Sequence, residues 1–244
     1  MLVGTVRRHR SQLETNVRLP RDLPLWRQPS IALFAVLMLT LVMYPFADSA
    51  RPVRALAQIL DIAVVLSVMR MLRVHALWVK SGWWISVPLI VLQATHLIWP
   101  QNGPLLAAML AAQIAFHAFG VVLLLGYVLR DEIVTTDELF ALACIYVLLA
   151  LLWASAYALV ILANPQAIFI NPTNDMDGAV GWSDLVYYSM TTLTSTGYGE
   201  ITPVSPAARA LAMLQQVVGV LFVAILIARL TGLNRAARSH RGDN

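Results

Sequence analysis

The stretch that decides the fold reads Thr191-Thr192-Leu193-Thr194-Ser195-Thr196-Gly197-Tyr198-Gly199-Glu200. It lies between an amphipathic aromatic run over residues 182–190 and a long apolar run over residues 207–230. Inside a bilayer, irregular backbone is tolerated only where protein or a water-filled cavity satisfies its polar groups. The Gly-Tyr-Gly segment is therefore either a loop that re-enters the membrane or an ordinary external loop, and its surroundings favour the first.

The composition is that of an integral membrane protein. Apolar residues make up 59% of the 244 residues and charged residues only 12%, whereas a soluble domain is nearer half apolar and a quarter charged. The arginines cluster towards the termini rather than on a basic face with interleaved aromatics, so nucleic acid binding is not expected. Cys144 has no second cysteine to pair with, and its apolar surroundings predict a packing role.

Six apolar stretches approach the length needed to cross about 30 Å of hydrocarbon. They cover residues 31–46, 53–71, 83–99, 104–129, 139–162 and 207–230. The sequence thus predicts an all-α membrane protein with six transmembrane helices, plus a re-entrant helix and loop between the last two. Thr135 and Glu138 have the spacing of a capping box, which predicts a helix start near them.

The placement of lysine and arginine predicts the orientation. With the N-terminus in the cytoplasm, the cytoplasmic side holds all of the 17 basic residues except Arg51, Arg54 and Arg209. Both termini are then cytoplasmic, and the Gly-Tyr-Gly loop faces outwards. Lys80 is the one lysine among these residues, a preference for arginine that favours a bacterial source. We therefore expect a multi-pass protein of the bacterial inner membrane.

The Gly-Tyr-Gly loop has the residues needed to select among monovalent cations. Selection requires oxygens that replace the hydration shell of the ion, and consecutive backbone carbonyls can supply them. The backbone must then alternate in conformation, which Gly197 and Gly199 permit freely. Tyr198 would turn its ring away from the axis, and Ser195 would add a hydroxyl at the inner end. Ser183 is the expected N-cap of the preceding helix, whose partially negative C-terminal end favours a cation.

With these residues, the loop resembles the selectivity filter of the tetrameric potassium channel superfamily, commonly Thr-Val-Gly-Tyr-Gly-Asp. The resemblance covers residues 139–232 and includes Pro203 after the loop and Gly219 midway along the last helix. It implies a homotetramer with K⁺ as its bound and permeant ion. The filter would comprise Thr194, Ser195, Thr196, Gly197, Tyr198 and Gly199, with K⁺ held at Ser195, Thr196, Gly197 and Tyr198.

The resemblance also implies how the chain is divided. A basic cytoplasmic segment (1–30) precedes a peripheral four-helix domain (31–130), which is similar to a voltage-sensor bundle without gating arginines, and a linker (131–138). The pore domain (139–232) and a cytoplasmic tail (233–244) follow. Within the pore domain we expect an outer helix (139–162), a turret (164–181), a pore helix (182–193), the filter (194–200) and an inner helix (207–230). This layout is similar to that of small bacterial six-helix ion channel proteins without a cytoplasmic regulatory domain.

Three filter residues depart from the family pattern. Ser195 keeps the hydroxyl of threonine but loses a methyl that stiffens the rotamer, and Thr196 replaces valine with a hydroxyl that needs a partner, expected on the pore helix. Glu200 is one methylene longer than the family's aspartate. In the family an aromatic residue of the pore helix holds this acid, and the candidates for supporting the filter and outer mouth are Tyr187, Tyr188 and Thr191.

Steep voltage dependence is not expected. A sensor needs several arginines at every third position, because one charge crossing 100 mV contributes only about 2.3 kcal/mol, and residues 104–129 contain none. Asp61, Gln93 and Gln113 are intramembrane polar residues at similar depths. For Asp61, a satisfied structural network, a remnant of a sensor charge partner and a role in gating or proton coupling are all open.

Other polar or special residues have two interpretations each. His96 and His117 lie on separate helices without metal-ligand spacing, which predicts structural roles. Gly219, Val223 and Ile227 share one helix face; in the family this face lines the pore and Gly219 is a gating hinge, and packing is the alternative. Gln215 and Gln216 would bond near the filter base, face the cavity or join helices.

We therefore expect a potassium-selective channel that conducts passively, in contact with membrane lipids. A weakly selective channel for K⁺ and Na⁺ is the nearest alternative because of Ser195 and Thr196. A potassium transporter subunit ranks lower, since such proteins carry four non-identical pore repeats in one chain and this chain has one. The sequence contains no nucleophile–base pair, metal signature or phosphate loop, so neither an enzyme nor another non-channel membrane protein is favoured, and no cofactor is expected.

Overall fold

The structure, a computed structural model, describes residues 29–46, 51–71, 76–129, 135–171 and 180–242. Within them, two short strands, β1 (Ile168–Ile170) and β2 (Ile201–Pro203), flank the sixth of seven α-helices, and a 3₁₀ turn (Tyr44–Phe46) follows the first. The prediction of an all-α architecture is confirmed apart from these strands. The helices are α1 (Pro29–Met43), α2 (Arg51–Met71), α3 (Ala76–Ile98), α4 (Gly103–Val128), α5 (Thr136–Ala163), α6 (Trp182–Leu193) and α7 (Pro206–Gly242).

Five described segments are long and apolar enough to cross a membrane: Pro29–Phe46, Ser81–Ile98, Gly103–Val128, Thr136–Ala163 and Pro206–Arg229. The protein is therefore a helical membrane protein. The predicted span 53–71 falls within α2, which is not among the five and carries Asp61 and Arg70. Of the six predicted spans, five therefore have a described helix that is long and apolar enough to cross a membrane.

Helix α5 begins where its cap predicts. The Thr135 hydroxyl accepts a hydrogen bond from the Glu138 N–H at 3.3 Å, and the Glu138 carboxylate accepts one from the Thr135 N–H at 3.2 Å. These reciprocal bonds satisfy two of the free N–H groups at the helix start. The predicted capping box is confirmed.

Helix α7 is longer than expected. It continues to Gly242 rather than ending near residue 230, so most of the expected tail is helical. The alanines and arginines after residue 234 are among the strongest helix formers, which accounts for the extension. The expected N-terminal segment up to residue 28, linker residues 131–134 and turret residues 172–179 lie outside the described residues.

The peripheral helices pack on the α5 helix of the same chain. Both α4 and α1 lie against α5, and their apolar side chains join one buried core that includes Leu33, Phe116 and Leu148. At the other end of the chain, the Arg229 guanidinium of α7 donates a hydrogen bond to the Val128 carbonyl at the end of α4. The peripheral helices therefore contact both long helices of the 139–232 segment.

Asp137 joins three helices at the start of α5. Its carboxylate accepts hydrogen bonds from the Ser30 N–H at 3.2 Å and the Ser30 hydroxyl at 2.9 Å, and from the Tyr127 hydroxyl at 2.8 Å. A buried carboxylate needs such donors to offset the loss of its hydration. Asp137 thereby holds α1 and α4 against α5.

The two strands close a loop around α6. They pair antiparallel, with Ile168 opposite Pro203, and the Asn171 N–H extends the pairing by donating to the Glu200 carbonyl at 2.9 Å. The sequence assigns both segments to loops, although the Ile-Phe-Ile run of β1 is a strand signal. The pair ties the chain after α5 to the chain that follows the 194–200 loop.

Removing the Asp137 carboxylate should destabilise the bundle. We expect Asp137→Ala to lower the free energy of unfolding by about 2 kcal/mol, because Ser30 and Tyr127 lose an acceptor at a buried site. Thermal unfolding of the detergent-solubilised protein measures the loss. Asp137→Asn keeps one acceptor oxygen and should lose less; equal losses in the two variants would contradict this role.

Candidate functional site

Helix α6 precedes the 194–200 loop. It begins at Trp182, whereas Ser183 was the expected N-cap. The N-cap is Gly181, whose N–H donates to the Asp184 carboxylate at 2.8 Å, so the prediction of Ser183 as N-cap is wrong. Asp184 satisfies this N–H and places a negative charge at the positive end of the helix dipole. The sequence missed this because Asp184 also fits an ordinary position in the first turn.

The loop leaves α6 with alternating backbone conformations. The φ angle is 57° at Ser195, 52° at Gly197 and 93° at Gly199, and Thr196 and Tyr198 between them do not have positive φ. Such alternation lets consecutive carbonyl groups point to the same side of the chain, which is the arrangement a carbonyl-lined ion path requires. Three of these five residues therefore use a region that glycine occupies freely and other residues rarely adopt.

Ser195 adopts this region without being glycine, which costs an L-residue about 1–2 kcal/mol. Neighbouring hydrogen bonds hold it there. The Ser195 N–H donates to the Thr192 carbonyl at 3.1 Å, and the N–H groups of Thr196 and Gly197 both donate to the Thr191 carbonyl, at 2.8 and 3.2 Å. The last turn of α6 thus anchors the first half of the loop, Ser195 to Gly197.

The Thr196 hydroxyl has a partner within the loop. It lies 2.8 Å from the Thr194 hydroxyl, which can also donate to the Met190 carbonyl at 2.8 Å. Either hydroxyl can donate in this pair, since each has one hydrogen and two lone pairs. The sequence predicts that this partner lies on the pore helix. The partner is instead Thr194, the residue directly after α6.

Tyr187, rather than Tyr188, lies beside Glu200 at the C-terminal end of the loop. The hydrogen bond to Glu200, in which the Tyr187 hydroxyl is the donor, raises the pKa of Tyr187 to about 12. Its ring also stacks on Tyr198, with centroids 6.4 Å apart and planes 4° apart. Tyr188 is buried against Tyr157, at 4.9 Å between centroids.

A buried hydrogen-bond network centred on Gln215 joins α5, α6 and α7. The Gln215 side-chain nitrogen donates to the Ser189 carbonyl at 2.9 Å and to the Ser189 hydroxyl at 2.8 Å, and its oxygen accepts from Tyr157 at 2.7 Å. The Ser189 hydroxyl donates to the Ala150 carbonyl at 2.6 Å. Of the alternatives for Gln215, the structure therefore supports a link between helices. Ser189 and Tyr157 were missed, although a serine inside an aromatic helix is a visible signal.

Gly219 packs against the end of α6. A Cβ atom there would lie 2.0 Å from the Leu193 carbonyl oxygen, which leaves no room for a side chain. The same oxygen accepts a hydrogen bond from Tyr146 at 3.1 Å. Val223 and Ile227, expected on the same face, are 42% and 56% exposed in the single chain. On this helix face, Gly219 is therefore closely packed, whereas the side chains of Val223 and Ile227 are exposed in the single chain.

Gln216 lies apart from this network. It lines a cleft of about 240 Å³ behind the loop, together with Thr191, Thr192 and Ser195. Its side chain is exposed in the single chain, unlike that of Gln215. The two adjacent glutamines thus point to different surroundings, one to the buried network and one to the cleft.

The predicted intramembrane polar residues lie together at a cavity separate from the 194–200 loop. Asp61, Gln93 and Gln113 line one small cavity together with His117 and Tyr44. The Asp61 carboxylate accepts a hydrogen bond from the Tyr44 hydroxyl at 2.5 Å. Tyr44 could not be anticipated from the sequence, because nothing marks it as different from an interfacial aromatic.

Comparison with known proteins bears on the part of the chain that contains the loop. Residues 140–235 match a family described as ion channel. A search of curated proteins finds no match to the chain. The matched residues include nearly all of α5, both strands, α6, the 194–200 loop and the described side chains of α7.

Two glycine variants should shift stability in opposite directions. Gly219→Ala should lower the unfolding midpoint, since displacing the Leu193 carbonyl costs about 1–3 kcal/mol. Gly126→Ala, at a helical glycine with open space around it, should raise the midpoint, because alanine is favoured over glycine in a helix by about 1 kcal/mol. Thermal unfolding in detergent compares them. If both variants gained stability, the close contact would not explain Gly219.

Proposed function

We propose, on the premise of the ion channel family match at residues 140–235, that this chain belongs to the potassium channel superfamily and that four copies form a potassium-selective channel with the 194–200 loop as its filter. K⁺ would pass down its electrochemical gradient without any cofactor. The chain is an ion channel protein of a membrane. The proposal concerns its selectivity for K⁺, its assembly as a homotetramer and its orientation in the membrane.

The backbone of the loop carries the proposal. The positive φ angles at Ser195, Gly197 and Gly199 alternate with the other conformation at Thr196 and Tyr198. Carbonyls of Ser195 to Tyr198 would then coordinate K⁺ in place of water, with Thr194 and Gly199 completing the filter at its two ends. Conduction requires this coordination to match hydration closely enough for ions both to enter and to leave.

Features of the single chain support the proposed fourfold assembly. One loop cannot surround an ion, and equal copies close most simply by cyclic symmetry. Only 17% of the residues in the apolar window of α7 are buried, against 44% in that of α5. Tyr198 is 71% exposed. These surfaces support a homotetramer in which α7 and the loop face neighbouring copies, while α1–α4 face lipid.

We further propose that the channel lies in a bacterial inner membrane with both termini in the cytoplasm. The basic residues support this orientation. The Tyr187–Glu200 pair and the β1–β2 ladder would then frame the outer mouth, and the C-terminal end of α6 would face the inner cavity. Its partial negative charge favours a cation there.

A weakly selective channel for K⁺ and Na⁺ is the alternative function. Two observations favour it: Ser195 holds a left-handed backbone without glycine, and a hydroxyl pair between Thr194 and Thr196 stands where the family has an apolar side chain. A filter that relaxes at Ser195 would fit the smaller ion as well. Permeability ratios separate the two functions.

Reconstituted channels should conduct K⁺ and be blocked by barium. In a K⁺/Na⁺ gradient across a planar bilayer, the reversal potential should follow the K⁺ gradient. A reversal potential near zero would establish the weakly selective alternative, and the absence of any cation current would overturn the channel function. Single-channel recording of the purified full chain provides all three readouts.

The glycine variants link that current to the loop. Gly199→Ala should reduce K⁺ flux at least about tenfold, because a side chain at positive φ costs about 1–2 kcal/mol in each copy. Gly126→Ala, at a helical glycine with open space around it, is the matched control and should conduct normally. Unchanged flux in Gly199→Ala would exclude the 194–200 loop as the filter.

Current should depend weakly on voltage. Helix α4 carries no lysine or arginine over residues 104–129, so no charge of that helix can move through the field. Currents in symmetrical K⁺ should therefore be near-ohmic. A gating charge of several elementary units, measured from the steepness of activation, would contradict this.

A further inference from the structure

A small polar cavity lies inside the peripheral helices, away from the 194–200 loop. Its volume is about 10 Å³, close to what one water-sized occupant needs. Five polar side chains from four elements converge on it, and the rest of its wall is apolar. The polar residues are Tyr44, Asp61, Gln93, Gln113 and His117.

Three buried polar atoms at this cavity lack a hydrogen-bond partner. The side-chain oxygens of Gln93 and Gln113 and the Nδ1 atom of His117 have no hydrogen-bond partner among the described residues. These side chains are only 5%, 7% and 8% exposed. Asp61 adds a carboxylate, one oxygen of which accepts from Tyr44. Buried acceptors of this kind require an occupant that satisfies them.

The charge of the cavity restricts that occupant. With a neutral His117, an ionised Asp61 would give the cavity one negative charge, and no lysine or arginine is among the lining residues. A buried charge is either neutralised by a proton or balanced by an opposite charge, so one bound cation would keep Asp61 ionised. The described residues contain no group of three or more His, Cys, Asp and Glu placed to hold a metal ion, which argues against a divalent or transition metal.

We propose that this cavity binds one Na⁺ ion per chain. Asp61 supplies the charged ligand, and the side-chain oxygens of Gln93 and Gln113 supply neutral ones, a donor set of the type that hard cations prefer. The volume suits the smaller alkali ion, because K⁺ needs a wider shell of oxygens. Tyr44 positions Asp61 through its hydrogen bond.

The site lies where the peripheral helices meet α6. The ring of Tyr44 packs edge-to-face on Trp182, the first residue of α6, at 5.8 Å between centroids. One residue therefore contacts both the proposed ion ligand and the helix that carries the loop. The sodium site is nevertheless independent of K⁺ conduction, since none of its ligands belongs to residues 194–200.

Sodium binding can be measured on the purified full chain in detergent. Potassium is kept constant and in excess so that the 194–200 loop is occupied, and choline replaces Na⁺ at constant ionic strength. Radioactive sodium should bind saturably with one ion per chain. The unfolding midpoint should rise with Na⁺ but not with choline, because a ligand that binds only the folded state stabilises it.

Variants assign the binding to this cavity. Asp61→Asn should weaken Na⁺ binding at least about tenfold, a loss that even outer-shell partners of a metal can cause. Asp137→Asn is the matched control: it alters another buried carboxylate and should keep its response to Na⁺. Gln93→Leu removes one oxygen without changing charge and should also weaken binding, which keeps the test open if Asp61→Asn does not fold.

Three outcomes would overturn the proposal. Wild-type protein without saturable sodium binding would mean that the cavity holds a water molecule or a protonated Asp61. Unchanged binding in both Asp61→Asn and Gln93→Leu would place the ion elsewhere. An equal rise of the unfolding midpoint in choline would mean that the stabilisation comes from ionic screening and not from Na⁺ binding. Potassium flux in the same preparations shows separately whether the channel function holds.

Discussion

The buried hydrogen bonds of Gln215 set the position of everything around the loop. Gln215 on α7 donates to the carbonyl and the hydroxyl of Ser189, and this hydroxyl donates to Ala150 on α5. Tyr157, also on α5, donates to the side-chain oxygen of Gln215. In an apolar interior such bonds are strong, and leaving one partner unpaired is costly. All of these groups are paired, so α6 has one well-defined position. The 194–200 loop inherits that position, because it is anchored to the last turn of α6.

Features encoded by neighbouring residues could be predicted from the sequence. The apolar runs indicate the helices, the Thr135–Glu138 spacing indicates the start of α5, and Gly197 and Gly199 mark the positions where the backbone takes positive φ. Each of these signals depends on local chemistry: hydrophobic length, a cap, or the absence of a Cβ atom. The loop was found for the same reason.

Partnerships across the fold could not be predicted in the same way. Gln215 and Ser189 are 26 positions apart, and Tyr157 and Gln215 are 58 apart, so no local pattern pairs them. The choice of Tyr187 over Tyr188 beside Glu200 depends on how α6 is rotated, which its neighbours decide. Gly219 was singled out as a hinge, yet its contact with the Leu193 carbonyl shows a steric requirement that exists only in the folded chain.

The β1–β2 ladder has a consequence for how this protein can change over evolution. It joins the chain before α6 to the chain after it, through Ile168–Ile170 and Ile201–Pro203. The entropy of closing a flexible loop rises slowly, by about 0.6 kcal/mol for each doubling of length. Because β1 holds the chain before these positions and the Gly181 cap holds it after them, insertions between residues 171 and 180 need not move the 194–200 loop. The length of the chain before α6 can therefore vary while the 194–200 loop keeps its position.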